Sequence, residues 1–247
     1  MADFTFSGYA ALLDRFAELD YEVVDFESVA PEASHLILRH DIDLSVEAAL
    51  PMAKLEAERG LAASYFVQIR SPLYNAFAAP ALDALRCMTS LGHTIGLHFD
   101  AALYGAAPAE LDRAAARECE TLEAMLGRSV PMISFHRPAP ALQGREGRIA
   151  GRMHAYEPRF FREIGYCSDS RGAWRHGHPL DHAAVVKGKA LQLLIHPLWW
   201  ITPPGTPAAK LDRWFETRLA ALDRDLAGNV GVHQPGRQCE GREHKCE

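Results

Sequence analysis

Acidic, histidine and arginine side chains recur in this chain directly after apolar runs. The stretch LRHDID, residues 38–43, continues one such run and places Asp41 and Asp43 two positions apart. Carboxylates at this position either cap the following helix or hold a ligand. If the strand continues through them, side-chain alternation puts both carboxylates on the same face, with Ile42 turned away.

The same combination of residue types closes four further apolar runs. The polar residues at these four ends are His98 and Asp100, His136 and Arg137, Asp169 and Arg171, and His196. In a parallel α/β barrel the carboxyl ends of the strands open on one face, where active sites are built. Any one of these residues alone could be a cap, a buried histidine or a structural ion pair. Five such ends together predict a shared polar site.

The elements that must position these residues alternate along the chain, in units of roughly 25–40 residues. This alternation predicts an α/β fold with a parallel sheet covered by helices. In the second helix, Pro51 either kinks the helix or marks its true start. Strands are predicted at 35–40, 62–69, 93–99, 130–136, 164–170 and 190–200, and helices at 8–18, 45–60, 81–91, 108–127, 157–164 and 209–228.

Composition narrows the class of protein. The chain has 247 residues, 48% of them hydrophobic and 23% charged, which is enough to bury a full core and fits one barrel-sized domain. The net charge of −6 comes without a basic stripe, so we do not expect a nucleic-acid partner. The five cysteines form no Cys-x-x-Cys pair, so neither a structural zinc site nor a disulfide framework is predicted.

Location and domain limits follow from the two ends of the chain. The first residues lack the pattern of a signal peptide, and no apolar run of about 18 residues exists to span a membrane. With the unpaired cysteines, this predicts a cytoplasmic protein without a membrane partner. Residues 231–247 are polar and aperiodic, so we predict one domain over 1–230 and a disordered tail over 231–247.

The five polar strand ends resemble the motifs of the polysaccharide deacetylase family, divalent-metal N- and O-deacetylases with a distorted (β/α)7 TIM-like barrel. RHDID stands where that family has Thr-Phe-Asp-Asp-Gly, and GHTIGLHFD resembles its His-containing second motif. SFHRPAP, CSDSRGAW and LLIHP resemble its Arg-x-Pro-Tyr, Asp/Trp and Leu-x-Ile-His motifs. The resemblance covers residues 35–200. The forms Arg-His-Asp-x-Asp and Phe-His-Arg-Pro resemble a less studied branch tied to surface-polysaccharide loci.

The resemblance implies a metal site with one ligand displaced. Asp43 supplies the metal carboxylate and His98 the first imidazole. The second histidine of the family motif is missing, because position 102 is alanine. Catalytic zinc normally has three protein ligands, so His136 is predicted as the third, with Asp100 as the alternative. If neither reaches, the site would bind metal poorly.

The resemblance also implies catalytic roles. Asp41 matches the catalytic base, and Arg137 is expected to hold it ionised and oriented. His196 is expected to be the general acid, with Asp169 fixing its tautomer. Four further residues are assigned to the substrate, with core packing as the alternative for the adjacent tryptophans. They are Arg171, Trp174, Trp199 and Trp200.

The function implied is hydrolysis assisted by a divalent metal, with Zn²⁺ the expected ion. The reaction would remove an acetyl or formyl group from an amide or ester of a carbohydrate-type substrate, in a hydrolase that acts on non-peptide C–N bonds. Two alternatives stay open. One is hydrolysis of a small non-sugar amide or imide on the same barrel, and the other is a catalytically inactive sugar-binding homologue, which the missing second histidine favours.

Overall fold

The computed structural model describes residues 4–105, 107–175 and 177–236. The chain divides into two compact units, Met1–Pro204 and Gly205–Glu247. All predicted site residues belong to the first unit. The domain limit at residue 230 stays a prediction, and most of the predicted tail, from 237 onward, lies outside the described residues.

One parallel sheet forms the centre of the first unit. Its path has the order β6-β5-β4-β3-β2-β8-β7, and β1 pairs with β2 beside this path. Every pairing between these strands is parallel, which confirms the predicted α/β class. The strands are β1 Glu22–Val23, β2 His35–Ile42, β3 Ser64–Val67, β4 Thr94–Phe99, β5 Met132–Phe135, β6 Met153–His154, β7 Gly165–Ser168 and β8 Leu191–Ile195.

The sheet is curled, as contacts across its inner face show. β2 and β5 are separated by β3 and β4, so in a flat sheet they would lie roughly 14 Å apart, at about 4.8 Å per strand. Nη2 of Arg39 on β2 nonetheless donates to Oγ of Ser134 on β5 over 2.6 Å. The same nitrogen donates to the hydroxyl of Tyr156, which follows β6, over 3.2 Å. The seven strands of the path therefore form the predicted distorted (β/α)7 barrel.

Helices follow most strands, as the alternation predicts. In the second helix Pro51 occupies the first turn, so it marks the start of the helix instead of kinking it. The fourth helix ends at Gly127, whose left-handed φ of 65° suits glycine. The helices of the first unit are α1 Phe6–Glu18, α2 Leu50–Glu58, α3 Ala79–Ser90, α4 Pro108–Leu126, α5 Pro158–Phe161, α6 Ala183–Val186 and α7 Leu198–Ile201, and the second unit contains α8 Pro207–Asn229.

The predicted strand over 190–200 is wrong in its second half. β8 ends at Ile195, and Leu198–Ile201 form the helical turn α7. Pro197 has no backbone N–H to continue a strand ladder, and its φ of −51° and ψ of −36° already begin the turn. The strands β1 and β6 were not predicted, because two residues are too few to show a period.

Side chains of β2 alternate between the inside of the barrel and the helix layer. Arg39 and Asp41 point inward, whereas His40 points outward, where its Nε2 lies 2.7 Å from Oε1 of the buried Glu56. The hydroxyl of Tyr65 donates to the other oxygen of Glu56 over 2.7 Å. Two charged clusters, one on each face of β2, are therefore part of the interior. Among the described residues, no helix has both the length and the apolar character needed to cross a membrane.

Candidate active site

Three predicted metal ligands meet at the carboxyl edge of the sheet. Asp43 follows the end of β2, His98 lies on β4, and His136 follows the end of β5. Oδ1 of Asp43 lies 3.1 Å from Nε2 of His98 and 3.3 Å from Nδ1 of His136. The two imidazole nitrogens are 3.2 Å apart. One ligand atom from each of these residues therefore falls within 4.8 Å of the others.

Hydrogen bonds behind His98 fix which ring nitrogen faces Asp43. A carboxylate only accepts and a guanidinium only donates. The hydroxyl of Ser134 therefore donates to Asp41, at 3.1 Å from Oδ2, and accepts from Arg39. The same Oγ lies 3.0 Å from Nδ1 of His98, so Nδ1 carries the hydrogen and donates it.

In neutral His98, Nε2 then carries a lone pair and no hydrogen. This nitrogen lies 3.1 Å from a carboxylate oxygen of Asp43. Two acceptors at this distance repel each other unless a positive charge lies between them. A carboxylate and two imidazoles are also a ligand set that catalytic zinc takes. The residues present therefore fit a divalent cation.

The carboxylate of Asp43 is ionised at neutral pH. Burial raises the pKa of Asp43, but the hydrogen bond from His136 and the positive charge of the nearby His196 outweigh this effect and hold the pKa well below its usual value. Asp100, the alternative third ligand, is engaged elsewhere. Its Oδ1 accepts from the backbone N–H of Ala102 over 3.1 Å and its Oδ2 accepts from Arg137 over 2.9 Å. The geometry therefore favours His136 as the third ligand.

Asp41 is held by Arg39, which lies two residues earlier on the same strand. Nε and Nη2 of Arg39 donate to the two carboxylate oxygens over 3.0 and 2.7 Å. Burial raises the pKa of Asp41, but the charge of Arg39 outweighs it and keeps the pKa below the usual value. The structure corrects the pairing predicted for Arg137, whose side chain is 72% exposed and contacts Asp100 instead.

His196 faces Asp43 from the end of β8, with Nε2 3.7 Å from Oδ2. Its Nδ1 lies 2.6 Å from Oδ1 of Asp169, and this oxygen also accepts from the His196 backbone N–H, whereas Oδ2 of Asp169 accepts from Nε1 of Trp200. Burial lowers the pKa of His196, but the charge and hydrogen bond of Asp169 outweigh it and raise the pKa to about 9. His196 is therefore protonated at neutral pH.

The three predicted sugar-binding tryptophans lie mainly in the core. Trp200 is 2% exposed, whereas Trp199 is 7% exposed and lines a small cavity of about 160 Å³ that Asp41, Asp43 and His196 also line. Trp174 is partly buried and packs against Trp200 with ring centroids 5.8 Å apart. Trp200 offers no open face to a sugar ring, because its indole N–H is needed by Asp169 and its faces are covered.

A cavity of about 540 Å³ opens over this cluster, a volume typical of small-molecule sites. It exposes Asp41, Asp43, His98, His136 and His196 together, and its remaining walls include Tyr156, Phe161, Tyr166, Arg137 and Arg171. The structure brings the five strand ends that were predicted to share a site to this one cavity. Asp169 supports it from beneath without reaching the cavity wall.

Sequence reasoning missed the residues that hold the cluster from below, which are Arg39, Ser134 and Gln192. For Arg39 a signal existed. The alternation that puts Asp41 and Asp43 on one face also puts residue 39 there. Ser134 and Gln192 carry no comparable signal, because each is one polar residue inside an apolar strand.

No protein-family model matches this chain, and no curated protein matches it. Among solved structures, the Streptococcus pyogenes deacetylase PplD in complex with acetate is similar, with a TM-score of 0.43 and 14% identity over 83% of this chain and 84% of that chain.

The chitin deacetylase from the fungal pathogen Colletotrichum lindemuthianum has a TM-score of 0.45 and 17% identity, over 76% of this chain and 83% of that chain. BA3943, a CE4 family pseudoenzyme from Bacillus anthracis, has a TM-score of 0.37 and 9% identity, over 79% of this chain and 63% of that chain. At these values the chemistry of the site has to come from the residues of this chain.

Proposed function

We propose that this protein is a metal-dependent hydrolase that removes an acetyl or formyl group from an amide or ester of a carbohydrate-type substrate. The observation that carries the proposal is the convergence of a ligand triad, a buried carboxylate and a protonated histidine on one cavity. The motif resemblance supplies the reaction class. Synthesis of a surface polysaccharide and a cytoplasmic location belong to the proposal as well.

Asp43, His98 and His136 would hold the cation, for which Zn²⁺ is our first choice. When bound, it would supply a Lewis acid that polarises an acyl carbonyl. The protein prepares this site by keeping Asp43 ionised and the Nε2 lone pair of His98 directed at it.

Asp41 and His196 divide the proton transfers. Asp41 stays ionised because Arg39 holds both its oxygens, so it can accept a proton from the attacking water. His196 holds its proton at neutral pH and can donate it from Nε2 to the leaving nitrogen or oxygen. Asp169 retains the Nδ1–H of His196 and so keeps the ring in that orientation.

The test combines metal analysis with acyl release. The purified protein is offered N-acetyl and N-formyl sugars and sugar nucleotides, and also a simple imide, and released acetate or formate is measured. We expect His196→Gln and Asp41→Asn to keep the metal and to lose turnover by roughly 10²–10⁴-fold. We expect Asp43→Asn and His98→Ala to lose the metal. Asp83→Asn, an exposed carboxylate on α3, is the control.

Four outcomes would contradict the proposal. Full turnover in His196→Gln would show that His196 is not the general acid. Unchanged tight metal loading in Asp43→Asn and His98→Ala would show that these residues are not the metal ligands. Sugar binding without acyl release from any substrate would instead indicate an inactive sugar-binding homologue. Turnover of the imide alone would show that the substrate is not a carbohydrate.

A further inference from the structure

Two arginines flank the metal triad at the wall of the 540 Å³ cavity, and neither is needed by the mechanism above. Arg137 directly follows His136, and Arg171 follows Asp169 by two residues. Both have left-handed backbone conformations, with φ of 45° and 61°. This conformation is unfavourable for a residue with a Cβ atom, and strain of this kind collects at ligand sites.

Arg171 has no counter-charge in the described part of the chain, where its exposed side chain forms no hydrogen bond or ion pair. It lines both the large cavity and the adjoining cavity of about 160 Å³ that contains Asp41, Asp43 and His196. Its base is fixed, because the N–H of Gly172 donates to the carbonyl of Asp169 over 2.9 Å. Arg171 therefore lies at the edge shared by the two cavities.

Arg137 lies after the end of β5, whereas Arg171 lies after the end of β7. Only its Nη2 has an acceptor among the described residues, the carboxylate of Asp100 at 2.9 Å. This bond orients the side chain and leaves Nε and Nη1 to the solvent-exposed side. Arg137 also lines a neighbouring, mostly apolar cavity of about 580 Å³, together with Arg145. Positive charge therefore extends beyond the triad along this side of the site.

Of the two arginines only Arg137 has a carboxylate partner, Asp100. The other carboxylates near the cavity cannot neutralise Arg171, because each already has its own partner. Asp41 is held by Arg39, Asp43 faces two histidines, and Asp169 is held by His196 and Trp200. Guanidinium groups pair well with phosphate and carboxylate oxygens, in two-pronged contacts. A chain of net charge −6 would repel an anion, so the attraction has to be local.

We propose that Arg137 and Arg171 bind an oxyanion, phosphate or carboxylate, carried by the carbohydrate substrate. The inference rests on the proposed function in that the anionic group belongs to the molecule that is deacylated. The substrate class is thereby narrowed to sugar phosphates, including nucleotide- or lipid-linked ones, or uronic acids. Neutral glycans do not use the two arginines.

The test measures binding of three probes to the metal-loaded protein by calorimetry. They are N-acetylglucosamine 1-phosphate, glucuronic acid and neutral N-acetylglucosamine. We expect one of the two anionic probes to bind roughly tenfold or more tightly than the neutral sugar, as charge-assisted hydrogen bonds allow. Which of them binds identifies phosphate or carboxylate as the group. The preference should weaken as the salt concentration rises.

Variants assign the preference to the two arginines. Arg171→Gln and Arg137→Gln should each reduce it about fivefold or more, with KM for an anionic substrate rising more than kcat falls. Arg86→Gln removes an equal charge from an exposed site on α3 and should leave the preference unchanged. A preference that survives both substitutions would place the anion at the triad itself, and equal affinity for all three probes, or no binding of any, would also overturn the inference.

Binding and catalysis fail separately in this design. If the protein prefers an anionic sugar through Arg137 and Arg171 but releases no acyl group, the result supports the anion site and contradicts the hydrolase proposal. If the protein deacylates neutral and anionic sugars equally well, the result supports the hydrolase proposal and contradicts the anion site.

Discussion

Asp41 and Arg39 form a fully buried ion pair at the base of the site. Arg39 also donates to Ser134, Tyr156 and the side-chain oxygen of Gln192. Its ring contacts include Tyr156, whose centroid lies 4.8 Å from the guanidinium carbon. One residue therefore joins strands β2, β5 and β8 and keeps the proposed base ionised.

Removing that guanidinium leaves a buried carboxylate without its positively charged partner. We expect Arg39→Met to lower the free energy of unfolding by about 3–5 kcal/mol, measured by urea denaturation. The reason is that the buried charge of Asp41 then has no arginine to compensate for its lost hydration. The double variant Arg39→Met/Asp41→Asn should lose less than the single one. The control Arg59→Met breaks a partly exposed pair with Asp14 and should change stability by about 0–1 kcal/mol.

An Arg39→Met protein as stable as the wild type would contradict this account of the barrel interior. A double variant that loses as much as or more than Arg39→Met alone would do the same, because it would mean that the unpaired carboxylate is not the source of the loss.

Single elements differ in how far the sequence determines them. α4 is predicted within one residue, because nineteen residues of helical spacing end at a glycine. β6 is not predicted, since its two residues gain their strand geometry only by pairing with β5. The turn α7 is misread as strand because the mostly apolar run 190–200 hides a change of period at Pro197.

β6 contains His154, a histidine that lowers the free energy of unfolding as the pH falls. His154 is fully buried, and its Nε2–H donates to the carbonyl of Gly147 over 3.1 Å. Burial lowers the pKa of His154 from the usual 6.5 to about 4, and the charge of Arg145 adds to this effect. Between these values the unfolded chain binds a proton that the folded chain does not, so stability from this residue is lost as pH falls from about 6.5 toward 4.

We therefore expect the free energy of unfolding to fall less between pH 7 and pH 5 in His154→Gln than in the wild type, by on the order of 1–2 kcal/mol. Glutamine stays uncharged and can still donate to Gly147. Urea denaturation at the two pH values gives the difference. An equal fall in both proteins would show that His154 is not buried as a neutral group.

At the scale of the whole molecule, the α/β alternation and the meeting of five strand ends follow from the sequence, because both depend on period and order along the chain. The partners of the site residues follow only in part. Strand alternation places Arg39 beside Asp41 on one face of β2, whereas the contact of Arg137 with Asp100 depends on the ends of β5 and β4 lying side by side. The burial of Trp200 likewise follows from the turn α7.

Asp43, His98 and His136 are proposed to hold a catalytic metal. An anomalous difference map from zinc-soaked crystals, recorded at the zinc absorption edge, shows whether they do. We expect one strong peak about 2.0–2.2 Å from a carboxylate oxygen of Asp43, from Nε2 of His98 and from Nδ1 of His136. A map without a peak at this triad, or with a peak held by Asp100 in place of His136, would contradict the account.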